Sequence, residues 1–293
     1  MYNPFTEIID DSDSDDRLIR SVLEGDSCAL EKLIYRHQAW IYNIALKMVF
    51  DPDDAEDVTQ EILLKIISHL SAYESARAPF RTWLYRIVAN HVLGMKKRKI
   101  ETAMTRVYLD EEFPMDQDAI EDRRPASRPD HTVLVEETRN MCLTGMLLCL
   151  ERRQRLAFIL GGMFGIPSSV GSEILDVTEA NYRALLSRAR KKIENFVMQK
   201  CGLVNPENPC RCEGHVKKLI SSGWIDRDNP RLTRERLDKI SSIAVSRAAS
   251  VDGDLNSLYL LFRDSPFYES PDMAVRIREI LGRDEFGDFF TVQ

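Results

Sequence analysis

No stretch of about 18 apolar residues occurs anywhere in the chain, so nothing in it is built to cross a bilayer as a helix. The basic-then-apolar opening of a secretory signal peptide is missing too: the first residues, MYNPFTEIIDDSDSDD, are acidic. A cytoplasmic location is expected. Cysteine is sparse, at six in 293 residues, which excludes a disulfide scaffold and leaves core thiols or metal ligands. Strand-like alternation of useful length is absent, as are a phosphate-binding loop, a nucleophile elbow and a recognisable pair of catalytic carboxylates. An enzyme is therefore not expected. Positive charge is not in excess either, and a formal net charge of −7 argues against nonspecific coating of nucleic acid.

A hydrophobic fraction of 44% beside 30% charged residues describes a soluble, core-forming protein, and 293 residues suit two or three compact units. Charge is unevenly distributed. Basic residues gather in Lys96-Lys97-Arg98-Lys99 and in Arg183, Arg188, Arg190, Lys191 and Lys192, whereas acids concentrate in residues 10 to 16, 51 to 61 and 110 to 122. Two basic patches between acidic stretches suit two local nucleic-acid contacts plus a surface for a basic protein partner.

Helical periodicity dominates and predicts an all-α fold. Residues 17 to 50 read as two helices broken at Glu24-Gly25-Asp26; Asp51-Pro52-Asp53-Asp54 begins a third, and Phe80 to Met95 form a fourth. From 101 to 132 the pattern fades into an acidic, proline-bearing linker. It returns from Val133 to Met163, with an interruption at Gly145, and continues in two short helices near 167 to 175 and 178 to 196, which Ser168 or Ser169 and Thr178 can cap. Beyond Cys201 further helices are expected over 232 to 262 and 271 to 281.

The stretch DPDDAEDVTQEILLKIISHL followed by PFRTWLYRIVANHVLGMKKRK closely resembles region two of extracytoplasmic-function sigma factors. The block CLERRQRLAFILGGMFGIPSSVGSEILDVTEANYRALLSRARKKI resembles region four of the same class, a helix-turn-helix. The resemblance covers about residues 17 to 198. It implies a subunit that binds core RNA polymerase, directs it to promoters and helps melt them, with no required cofactor. Region two then spans 17 to 100 behind an acidic tail, 1 to 16, and region four spans 133 to 198. An anti-sigma partner fits the same resemblance.

Residue chemistry agrees with that division. Asp54, Asp57, Gln60 and Glu61 give one helix an acidic and amide-bearing face, suited to a basic partner surface, which the resemblance identifies as a coiled coil of the polymerase's largest subunit. Trp83, Arg86, Asn90, Lys96, Lys97 and Arg98 combine an aromatic platform, an amide and dense charge, the chemistry that holds unstacked bases of a minus-ten element. Trp83 suits core packing equally well. By resemblance Asn90 lines the pocket of a flipped base. Thr178, Asn181, Tyr182, Arg183, Ser187, Arg188 and Lys191 lie toward the exposed side of the second short helix, where they can meet a minus-thirty-five duplex. Two features depart from relatives: the loop YESARAPF lacks their aromatic-Arg-Gly, and T-E-A-N-Y replaces their G-T-V-x-S. Base preferences therefore do not transfer.

The last segment, 199 to 293, is an extension with a regulatory role expected. Cys201, Cys210, Cys212 and His215 are spaced adequately for tetrahedral zinc, with partly buried thiols as the alternative. Cys28, Cys142 and Cys149 read as core. A stand-alone helix-turn-helix regulator is the competing function, but the block from 54 to 95 has no use in one.

Overall fold

The computed structural model describes residues 14–97, 99, 101, 129–208, 210–230, 232, 262 and 267–281. Among them there is no β-strand beyond a single parallel bridge between Cys201 and Cys210. The all-α expectation is met.

The first bundle comprises α1 (Asp15–Leu23), α2 (Ser27–Val49), α3 (Pro52–Ser68) and α4 (Phe80–Gly94). Gly25, at φ +94°, makes the α1–α2 turn that a side chain would resist, and Asp26 caps α2 by accepting from the amides of Cys28 and Ala29. Asp51 caps α3 in the same way and Pro52 fills its first turn. Ile41, Ile44, Leu46, Ile62, Leu70, Leu84 and Tyr85 are among the largest buried side chains of this bundle. Asp15 ties α1 to its neighbours, pairing with Arg36 of α2 at 2.7 Å and Arg81 of α4 at 3.2 Å.

The second bundle holds α5 (Pro129–Leu148), α6 (Arg152–Ala157) with a π-helical turn over Phe158–Met163, α7 (Ser168–Leu175) and α8 (Glu179–Lys200). Two expectations change here. Gly145 does not interrupt its helix, because it is buried inside α5; the break falls at Cys149–Glu151, where the chain turns into α6. Neither Ser168 nor Ser169 caps α7, which Pro167 precedes with no side-chain cap, whereas Thr178 does cap α8, accepting from the Asn181 amide at 3.2 Å.

From the extension the structure describes α9 (Cys212–Ser221), which packs on α5 and was not expected, and α10 (Met273–Leu281), which was. The helix expected over 232 to 262 lies almost wholly outside the described residues, as do the tail to residue 13 and the linker over 102–128.

The two bundles touch. α7 lies across α4, and α6 packs against α2 and α4. Arg155, 1% exposed, is the centre of this joint: it donates to the carbonyls of Met48, Leu147, Leu148 and Leu150 and to Glu101, at 2.8 to 3.2 Å. Arg152 adds bonds to Glu101 and to the carbonyls of Met95 and Lys96 at the end of α4. A buried guanidinium is tolerated only when its donors are satisfied, and this one carries bonds from all three of its nitrogens.

Candidate functional site

The acidic face begins at the α3 cap. Asp51 Oδ1 accepts from the amides of Asp53 and Asp54, at 3.0 and 3.1 Å, fixing the helix start so that Ala55, Val58, Ile62 and Ile66 point inward. Asp57 and Glu61, one turn apart, are exposed, while Asp54 and Gln60 flank them half-buried. All four expected residues therefore reach the outside of one helix. His91 of α4 approaches Glu61 at 3.4 Å and Lys65 at 2.9 Å. Burial and then the Lys65 charge push the imidazole below its usual value, so at neutral pH the Glu61 contact is not an ion pair.

On α4, Leu84, Tyr85, Val88, Ala89 and Val92 form the buried stripe, which leaves Arg86 and Asn90 exposed on the outer side. Tyr85, also aromatic, is part of the core. Trp83 is half-buried, stacked on Phe80 with centroids 5.6 Å apart and tilted against Tyr73 at the same separation. Lys96 and Lys97 are exposed just past the helix end; Arg98 lies outside the described residues. Arg86 is engaged in cis, its guanidinium on the carboxylate of Asp176 in the α7–α8 turn. The loop before α4, the first residues of α4 and the start of α1 line a cleft of about 460 Å³ that includes Asp15, Asp16, Tyr73, Arg77, Phe80 and Arg81. Sequence reasoning missed it, although the atypical loop YESARAPF was its signal.

The helix-turn-helix consists of α7 and α8, joined through Asp176 in a left-handed conformation at φ 52°. Asn181, Arg183, Ser187, Arg188 and Lys191 are exposed along α8, with Arg183 paired to Glu179 one turn back. Tyr182 is a correction. It is fully buried, its hydroxyl donating to the Ala157 carbonyl at 3.3 Å, and its ring fills the space where a Cβ on Gly171 would stand. The inward stripe of α8 is Tyr182, Leu186, Ala189, Ile193 and Val197, and Ala184 is exposed. A small residue on α7 admits the ring, so Tyr182 is removed from the DNA-facing set.

In the extension, Cys210 Sγ lies 3.4 Å from His215 Nε2, and the bridge to Cys201 draws the two backbone segments together. Burial, then the neighbouring thiols Cys212 and Cys201, push Cys210 up to about 12, and burial pushes Cys212 up to about 11. No group of three or more His, Cys, Asp or Glu among the described residues is arranged to hold a metal. Cys28 is exposed rather than core; Cys142 and Cys149 are half-buried.

These features coincide with known families. The Sigma-70 region 2 family matches residues 33–99, over α2 to α4, and the Sigma-70, region 4 family matches residues 140–193, over α5 to α8. ECF RNA polymerase sigma factor SigE of Mycolicibacterium smegmatis is 25% identical over 177 residues, covering 59% of this chain and 64% of that one, just under two thirds of its length. SigM of Bacillus subtilis is 26% identical, covering 53% and 86%, and the RNA polymerase sigma-H factor of Pseudomonas aeruginosa is 26% identical, covering 62% and 93%. Among solved structures, CnrH in complex with the cytosolic domain of CnrY superposes with TM-score 0.44 at 18% identity, over 63% of this chain and 97% of that one. With an acidic helix in the first and a helix-turn-helix in the second, the chain carries Sigma-70 region 2 and Sigma-70, region 4 in this order and is similar over both to extracytoplasmic-function sigma factors of RNA polymerase.

Proposed function

We propose that the chain is a dissociable, non-enzymatic specificity subunit whose α3 face, Asp54, Asp57, Gln60 and Glu61, binds core RNA polymerase, whose α4 region reads a melted minus-ten element, and whose α8 reads a minus-thirty-five duplex. The observation that carries this reading is the exposure of two oppositely charged surfaces on the two sigma regions: Asp57 and Glu61 on α3, and Arg183, Arg188 and Lys191 on α8. The first suits a basic protein, the second phosphates and base edges. In the minus-ten role, Asn90 with Trp83, Arg86, Lys96, Lys97 and Arg98 supplies amide, aromatic and cationic groups. The cleft beside Tyr73 and Phe80 is a second place where an unstacked base fits, with Asp16 available to accept from an exocyclic amine. An anti-sigma factor, as a further partner, would compete for these same faces. A zinc ion on Cys201, Cys210, Cys212 and His215 is a separate proposal, supported by the ligand chemistry of the four groups and by the 3.4 Å approach of Cys210 Sγ to His215 Nε2, and stoichiometric zinc released on mercurial titration of the purified chain decides it.

The test of the polymerase contact is Asp57→Lys with Glu61→Lys. Both side chains are exposed, so the fold should persist, while like charge now faces a basic surface. Loss of co-elution with core polymerase at unchanged helical content is expected. Undiminished co-elution would refute the assignment.

A further inference from the structure

The segment from Phe267 to Leu281 is seated on the first bundle by contacts that reach across more than 200 residues of sequence. Asn43 of α2, fully buried, accepts from the Tyr268 amide at 2.9 Å and donates to its carbonyl at 2.7 Å, satisfying that backbone as a neighbouring strand would. Asp272 caps α10, accepting from the Val275 amide at 3.1 Å, and its other oxygen accepts from Tyr35 of α2 at 2.8 Å. Gln38 of α2 accepts from the Met273 amide at 3.1 Å. Met273, Ala274, Ile277 and Leu281 bury the inner face of α10, and its two arginines reach acids of the first bundle: Arg276 to Glu56 of α3 at 2.6 Å, and Arg278 to Glu31 of α2. Phe267 sits between Trp40 of α2 and Phe164 of the second bundle, with centroids 4.9 and 5.9 Å away.

We propose that Phe267–Leu281 is an autoinhibitory strap that holds the two sigma regions together and competes with core polymerase for the α3 side of the first bundle. This rests on the reading that α3 binds the polymerase. Two arguments carry it. Glu56 adjoins Asp57 in sequence and lies one turn from Gln60, so Arg276 grips α3 at the edge of the acidic face. A partner helix is about 10 Å across and packs 8 to 10 Å from its neighbour, so one lying along Asp57 and Glu61 meets α10 before it is seated. The charge is also matched: α10 offers arginines to region-two acids, the chemistry a basic polymerase surface would offer. Being on the same chain, the strap acts at a high effective concentration and needs no large affinity of its own.

Full-length variants titrated with core polymerase test the strap. Ile277→Asp places a carboxylate where the side chain is now 1% exposed; amide exchange over 273–281 should accelerate and core affinity should rise about tenfold or more, the factor lost when the competent state is a tenth or less of the population. Arg278→Glu and Glu31→Arg each break an ion pair outside the polymerase quartet, and each should raise affinity by a smaller factor, roughly twofold for a partly exposed pair. Combined, they should return it to the wild-type value. A released Ile277→Asp chain that binds core no more tightly than wild type overturns the strap, as does Glu31→Arg that weakens binding without recovery in the double variant. If Ile277→Asp fails to fold, the Glu31–Arg278 cycle decides by itself. Absence of core binding in every form, wild type included, sinks instead the polymerase reading on which the strap depends.

Discussion

At Tyr182 and Arg183 a single step along α8 separates a core residue from an exposed one proposed to face DNA. Removing the Tyr182 hydroxyl leaves the ring in place beside Gly171 and forfeits one buried hydrogen bond, to Ala157. Tyr182→Phe should therefore cost about 0.5–1.5 kcal/mol of stability while leaving duplex affinity within about twofold, and Arg183→Ala should do the reverse, weakening promoter-duplex binding by about 1–3 kcal/mol. Thermal melting and fluorescence anisotropy on the same two variants separate the roles. The thiols offer a second test at this scale. Burial raises Cys149 to about 12 and raises Cys201 as well, in company with Cys210 and Cys212. Raising a thiol's pKa lowers its thiolate fraction at any given pH below it, and the thiolate is the nucleophile. At pH 8 iodoacetamide should label exposed Cys28 first and these four slowly, catching up only as the pH rises toward 11, which peptide mass spectrometry reads directly.

At the scale of elements, the joint between bundles depends on α6. Two of its three arginines, Arg152 and Arg155, converge on Glu101 and on carbonyls at the ends of α2, α4 and α5. Arg155→Met keeps the length and apolar stem of the side chain but strips every donor. A buried ionic network broken on one side loses about 3–5 kcal/mol, so the urea midpoint of this variant should fall steeply, in contrast to Arg183→Ala, whose guanidinium is exposed and whose midpoint should barely move. Equal midpoints for the two variants would contradict the structural role given to Arg155. The π-helical turn that follows α6 brings Phe158 against Phe262 and Phe164 against Trp40, so the same short element also anchors parts of the extension and of the first bundle.

Taken as a whole, the molecule is closed in a way that the proposed promoter binding must undo. Minus-ten and minus-thirty-five elements lie about 25 base pairs apart, on the order of 80 Å along a duplex, whereas α7 of the helix-turn-helix rests on α4 and Arg86 is held by Asp176. If α4 and α8 read the two elements as proposed, both surfaces cannot be occupied on one promoter in this arrangement. Asp176→Arg replaces attraction with repulsion at that contact and should shift the population toward separated regions, seen as a larger radius of gyration in small-angle scattering and a wider distance between fluorophores on the two bundles. An unchanged radius would mean that the Arg155 joint and the strap hold the closed form without help from Arg86.

Much of this was legible in the sequence because it is local. Helix positions follow from apolar spacing and caps: the break at Gly25, the Asp51-Pro52 start and the Thr178 cap each act within four residues, and the two sigma signatures are continuous strings. Where the reading failed, the deciding contact came from elsewhere in the chain. Tyr182 is core because Gly171, eleven residues earlier and on another helix, leaves room for a ring; Gly145 lies buried inside its helix; Cys28 is exposed in the first turn of α2, where Ala29 and Leu30 take the buried side. The sequence by itself determined most helices of the two bundles, their order and the two charged surfaces. Only the tertiary structure decided that Arg155 closes one bundle on the other and that α10 returns to α2 and α3, since burial of a charge and pairing across more than 200 residues depend on which surfaces meet, and no local pattern records that.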